Sequence, residues 1–215
     1  MDVTTRLLLL AHAATAATRA SRFALDKDLD ERGLAEAGAA ADSLDARAQL
    51  RWGHALRCRR TAQALLGGPL PGADGCDGCD GCDGCDGCDR CDGCDGRLDD
   101  WNLGCWAGRA LGEVRAADPD GTAAWLANPA ATPHGGESLT ALLARVGSYL
   151  ADEAGRPGHR IAVTHPAILR AAVVHVLDAP PATFWRIDVP PLTPVAFSAY
   201  GGRWNLRFPC GGPIA

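Results

Sequence analysis

The chain has 215 residues, a formal net charge of -5 and 47% hydrophobic residues. A chain of this size buries roughly 70% of its unfolded surface, enough for a full core without disulfide or metal staples. No apolar run approaches the ~18 to 20 residues that cross a bilayer and no basic stripe is visible, so neither a membrane nor a nucleic acid is expected as partner.

Arg6 and residues 7–10, all leucine, superficially resemble the start of a signal peptide. Asp2 sits in the would-be basic region, and His12, Thr15 and Thr18 interrupt the apolar run. Residues 7–11 are therefore read as a strand covered on both faces, and the protein is expected in the cytoplasm. Twenty arginines stand against one lysine, a bias expected of a GC-rich bacterial genome. Residues 30–44 read as a helix with an acidic start, 49–55 as a second strand, and 57–66 as a helix stopped by Gly67, Gly68 and Pro69.

A triplet repeat follows. Residues 74–96, DGCDGCDGCDGCDGCDRCDGCDG, hold 8 of the 26 acidic residues and 7 of the 10 cysteines, so the acidity of the chain is local. Without apolar residues other than cysteine the tract cannot bury a core, and it is expected to be a disordered insert within a single domain spanning 1–215. Its C-x-x-C steps could chelate a soft metal, but structural zinc sites use separated pairs rather than a uniform repeat, and the reading assigns no metal. Long surface insertions carry little entropic cost, so a tolerated coding repeat accounts for it.

Beyond the tract, 109–118 and 122–128 read as short helices, and 138–153 as a long one with Leu139, Leu142, Leu143, Val146 and Leu150 on one face. Residues 160–164 read as a buried strand, 167–177 as the helix after it, and 195–200 with 203–208 as a hairpin turning at Gly201 and Gly202. Strands alternating with helices predict an α/β domain with a mostly parallel central sheet.

Two strand-to-helix junctions end in histidine, at His12 and His165. Ligands of open α/β sheets bind at the carboxyl ends of strands, where two such imidazoles suit nucleophilic or acid-base work on one substrate.

The chain resembles the histidine phosphatase superfamily, the phosphoglycerate mutase-like proteins. The family's Arg-His-Gly-x-Thr stands here as Ala11-His12-Ala13-Ala14-Thr15, and a leucine, a polar stretch and a glycine opening its first helix stand as Leu29 to Gly33. Arg57, Thr61 and Ala62 keep the spacing of Ser-x-Leu-x-Arg-x-x-x-Thr-Ala, with Gly53 and Ala55 at the serine and leucine. Leu98, Asp100, Gly104 and Gly108 match Leu-x-Glu-x-x-x-Gly-x-x-x-Gly; Gly136-Glu137-Ser138 opens the long helix, and His165 with Arg170 closes the series.

The resemblance implies a three-layer αβα sandwich and a phosphomonoester hydrolase acting through a phosphohistidine, with no cofactor and a small-molecule phosphate ester as substrate. His12 would be the nucleophile, Arg57 and His165 the phosphoryl ligands, and Asp100, one methylene shorter than the family's glutamate, the proton donor. Thr15, Arg22 and Thr164 are the substrate-binding candidates. Ala11 replaces a phosphate-clamping arginine, which implies weak activity or, as the alternative, a degenerate phosphatase fold that binds or regulates. Arg19, Arg22, Arg59 and Arg60 are the arginines near enough in sequence to replace it. Trp101, Trp106 and Trp125 either wall a pocket or belong to the core; the substrate and oligomeric state are not legible.

Overall fold

The computed structural model of the chain describes residues 4–20, 22–23, 25–70 and 93–208. In chain order the regular elements are β1 (Thr5–Ala11), α1 (Ala16–Arg19), α2 (Glu31–Ala40), β2 (Gln49–Trp52), α3 (Leu56–Leu66), α4 (Leu111–Ala117), α5 (Pro119–Ala127), α6 (Leu139–Ala154), β3 (Gly158–Thr164), α7 (Pro166–Val176), β4 (Pro194–Tyr200) and β5 (Arg203–Arg207). The strands form one mixed sheet in the order β2-β3-β1-β4-β5. β1, β2 and β3 are parallel, and the final hairpin adds β4 and β5 antiparallel beside β1.

The leucine run of β1 explains the layering. Alternate side chains of a strand leave on opposite faces. Leu7, Leu9 and Ala11 enter a core built with Leu142, Val146 and Leu150 of α6 and with Ile168 and Leu169 of α7. Leu10 points the other way, into a cluster with Cys58, Ala62 and Leu65 of α3, and Leu8 joins Ile161 and Ala196 on that same side. The result is the expected three-layer α/β sandwich.

Element starts follow local chemistry. Asp30 caps α2 by accepting from the Gly33 amide at 2.6 Å, and Ser138 caps α6 by accepting from Ala141 at 3.1 Å. Pro119 occupies the first turn of α5 behind the Asp118 cap, so that helix begins earlier than residue 122, where its apolar pattern begins. Gly67, at φ +64°, ends α3 in the left-handed conformation. The second strand stops at Trp52, short of residue 55, and the next residue, Gly53, comes so close to the Leu98 carbonyl that a side chain would collide with it.

Most of the insert, residues 74–92, lies outside the described residues, and the expectation of disorder falls there. Its last four residues are placed: Gly93 lies against the indole of Trp52, its carbonyl accepts from the Trp52 amide at 2.9 Å, and the Asp95 amide donates to the Trp52 carbonyl at 3.1 Å. No helix among the described residues is long and apolar enough to cross a membrane.

Gly33 marks the tightest contact near the end of β1. A Cβ there would fall well inside van der Waals distance of the Ala14 carbonyl oxygen, two residues after His12. Gly33→Ala is expected to push α2 away from this loop and to cost about 1–3 kcal/mol, measured as a lower urea midpoint at unchanged m-value.

Candidate active site

The parallel pairing of β1 with β3 sets Ala11 opposite Thr164, and the His12 amide donates to the Thr164 carbonyl at 2.8 Å. The next residue of each strand is a histidine, and the two rings meet edge to face with centroids 5.2 Å apart. Arg57, from the first turn of α3, and Asp100, from the loop after the tract, complete the group. Arg57 Nη2 donates to Asp100 Oδ2 at 2.7 Å, and His165 Nδ1 lies 3.4 Å from the same oxygen. The four residues separated by up to 153 positions thus form one cluster, with His12, Arg57 and His165 buried and Asp100 partly open.

The ring protons can be assigned from the neighbours. His12 Nδ1 lies 2.8 Å from the Ala13 carbonyl, which can only accept, so Nδ1 carries the proton and Nε2 keeps its lone pair. Burial, reinforced by the Arg57 charge, lowers the His12 pKa to about 4, so the ring is neutral at pH 7. Burial likewise takes His165 well below the usual histidine range. Cys58 Sγ is 3.3 Å from His165 Nε2, and burial raises the thiol pKa, so the protonated thiol donates to Nε2. His165 then carries its proton on Nδ1, facing Asp100. Burial works to raise the Asp100 pKa, but the electrostatic pull of the His165, Arg57 and His12 side chains around it overcomes burial, and the carboxyl falls to about 2.

Arg145 of α6 braces the segment that carries Asp100. Its guanidinium binds Glu137 in a two-pronged pair at 2.9 and 2.8 Å, and it also donates to the carbonyls of Arg97, Asp99 and Asp100 at 2.9, 3.0 and 3.3 Å. Glu137 returns the support through its own carbonyl, which accepts from the Trp101 indole at 2.7 Å. Sequence reasoning missed Arg145. The available signal was an arginine within the long helix that Glu137 precedes.

Thr15 and Thr164 both make hydrogen bonds within the fold. Thr15 caps α1, accepting from the Thr18 amide at 3.2 Å, and the Thr164 hydroxyl donates to the Leu98 carbonyl at 2.5 Å. Arg22 does line the pocket beside His12, though its guanidinium is bound to Glu113 at 3.2 and 2.8 Å. Arg19 is paired with Asp30 and Arg60 with Asp28, so neither is directed at position 11. Ala11 itself is fully buried in the core. The Ala13 amide donates to Thr61 Oγ1 at 3.0 Å, pinning the loop after His12 to α3.

His12 and Asp100 open onto a cavity of about 290 Å³. Trp101 and Trp125 line it, while Trp106 packs behind them in the core. His54 lies apart, paired to Asp99 at 2.8 Å, and that bond raises its pKa to about 10. His134 is enclosed by Trp101, Trp106 and Trp125, its Nδ1 accepting from the Gly136 amide at 3.0 Å. Among the described residues no group of three or more metal-ligating side chains could hold a metal ion.

Two outcomes test this geometry. In the unfolded chain His12 takes up its proton near pH 6.5, in the folded chain near pH 4, so the unfolded state binds more protons between these values. Stability is therefore expected to fall on acidification from pH 6.5 to 4, by up to about 3 kcal/mol from this residue; urea titrations across that window should show a shallower loss in His12→Gln. Arg145→Ala is expected to cost about 2 kcal/mol by the same measurement, because it leaves Glu137 and three carbonyls without their donor.

Similar architectures occur among solved phosphatases. The mycobacterial glucosyl-3-phosphoglycerate phosphatase has a TM-score of 0.72 at 23% identity, covering 94% of this chain and 97% of that one. The α-ribazole phosphatase of Shigella flexneri gives 0.71 at 20% identity, with 94% of both chains covered. A mutant phosphoserine phosphatase from Entamoeba histolytica, solved with phosphoserine, gives 0.73 at 15% identity and 94% of both. No curated protein matches the sequence. The family model described as histidine phosphatase superfamily (branch 1) matches residues 93–209, more than half of the chain and the part that supplies Asp100, Glu137, Arg145 and His165. With that match, on a fold that brings His12 and His165 together at the ends of adjacent parallel strands, the chain belongs to the histidine phosphatase superfamily.

Proposed function

We propose that the protein hydrolyses small phosphate monoesters through a phosphohistidine on His12. The observation that carries this reading is the cluster itself: a neutral imidazole with its Nε2 lone pair free, flanked by Arg57, His165 and a carboxyl group, at the floor of a cavity. His12 Nε2 attacks phosphorus, the P–O bond to the alcohol breaks, and the leaving oxygen takes a proton from Asp100. Water then attacks the phosphohistidine, gives its proton back to Asp100, and releases phosphate and free His12. Arg57 and the Nδ1–H of His165 offset the charge that spreads over the phosphoryl oxygens.

The Asp100 pKa of about 2 explains how substrate entry prepares the acid. At neutral pH Asp100 is ionised and held by Arg57. An entering phosphate competes for the Arg57 guanidinium and brings negative charge beside the carboxylate, and both changes raise its proton affinity. A monoester monoanion supplies the proton that Asp100 then delivers. Histidine phosphatases as the resemblance describes them hold the phosphate with an additional arginine at the position of Ala11, and lacking one such donor slows turnover by on the order of 10²-fold.

The same substitution favours a second reading, a phosphate-binding protein without efficient turnover, and one assay separates the two. Hydrolysis of 4-nitrophenyl phosphate is expected to fall by about 10³-fold or more in His12→Ala. Equal rates in the two proteins would leave the binding reading. The wild-type kcat/KM should be bell-shaped in pH. It is expected to decline below about pH 4 as His12 takes up a proton and loses its lone pair, and above roughly pH 6 as the ester loses the proton that Asp100 needs.

A further inference from the structure

The cavity above His12 has an aromatic wall. Phe23, Trp101, Trp125, Phe184 and Trp185 line it, with Trp125 and Trp185 in edge contact at 4.6 Å and Trp101 packed on Phe184 at 5.4 Å. These rings come from four separate segments, and Phe184 and Trp185 lie on the short 3-10 helix Pro181–Arg186 after α7. The adjoining polar groups are few. The Thr18 hydroxyl is 3.0 Å from that of Thr15, and Arg22 is held by Glu113. Arg170 adds a further flat surface: its guanidinium lies 5.8 Å from the Phe184 ring centre, and it forms no ion pair among the described residues.

We infer that this pocket selects phosphate monoesters whose alcohol carries a single aromatic ring close to the phosphate. Two magnitudes decide for this class over sugar or polyol phosphates. A cavity of about 150 Å³ is enough to hold benzene, so about 290 Å³ takes a phosphoryl group at His12 and one ring beyond it. Each hydroxyl of a polyol would lose its water against a wall of indole and phenyl faces, whereas a planar ring gains edge and face contacts with them. Arg170 lines the same cavity with its guanidinium over the Phe184 ring.

The inference takes its chemistry from the phosphatase reading, but binding tests it separately. Benzylphosphonate and ethylphosphonate carry the same head group and cannot be hydrolysed. Titration calorimetry on the full chain is expected to give at least about 10-fold tighter binding for the benzyl compound, and the kcat/KM for benzyl phosphate should exceed that for ethyl phosphate by about 10- to 100-fold. Both esters have alkyl leaving groups, so leaving-group acidity does not create the difference. Trp185→Ala should bring both ratios towards one, and Trp185→Phe should keep most of the preference. Equal affinity for the two phosphonates, or failure to bind either, overturns the inference. So do ratios that persist in Trp185→Ala, while the wild-type comparison decides the matter if that variant does not fold. Preferential binding of benzylphosphonate with neither ester hydrolysed would refute the phosphatase reading and leave the ligand class standing.

Discussion

Everything in this protein depends on the register of two parallel strands. β1 and β3 are separated by well over a hundred residues, yet their pairing sets Ala11 against Thr164 and so delivers His12 and His165 together where the strands end. A slip of one residue would turn every side chain of β1 to the opposite layer and carry His12 away from its partner. The register is enforced by burial on both faces, because Leu7 and Leu9 fit the α6 and α7 side while Leu8 and Leu10 fit the side of α3. The same leucine run that makes the strand thus fixes the chemistry at its end.

Around that point the charges are arranged to hold one another. Arg57 and His165 converge on a single oxygen of Asp100, while Arg145 and Glu137 grip the backbone behind it. Buried charges without partners are costly, so such a site is stable only when each cation faces an acceptor. Asp100 is thus the acceptor that the buried Arg57 requires. In the proposed reaction a phosphate competes with Asp100 for Arg57, which ties ligand binding to the protonation of that carboxyl. Ala11 fits this economy of charge, since its place is filled by core packing rather than by a second guanidinium.

Much of this was legible in the sequence, and the parts that were not have physical reasons. The buried strands and the long amphipathic α6 declare themselves through apolar runs and 3.6-residue spacing, and the histidines follow from the ends of those strands. α1, only four residues long, has too little periodicity to be seen. Thr15 and Thr164 look like ligand groups by position, but a threonine at a buried strand end or a helix start finds its nearest acceptor or donor in the backbone, and here it does. The aromatic wall was the least accessible feature. Its residues come from segments with no common period, so Trp101 and Trp125 could be read equally as core, and Phe184 and Trp185 gave no signal at all before the chain was folded.

The two ends of the repeat-bearing segment meet in one place. Leu70, which closes the stretch after α3, and Cys94, where the chain returns, both pack in the small cluster around Trp52, and Asp95 continues from there towards Asp100. Trp52 therefore acts as a fixed post to which both ends are tied. The number of Asp-Gly-Cys triplets between them sets how much chain spans the gap but not where either end stands. The backbone bonds of Gly93 and Asp95 to Trp52 fix the start of the segment that leads to Asp100.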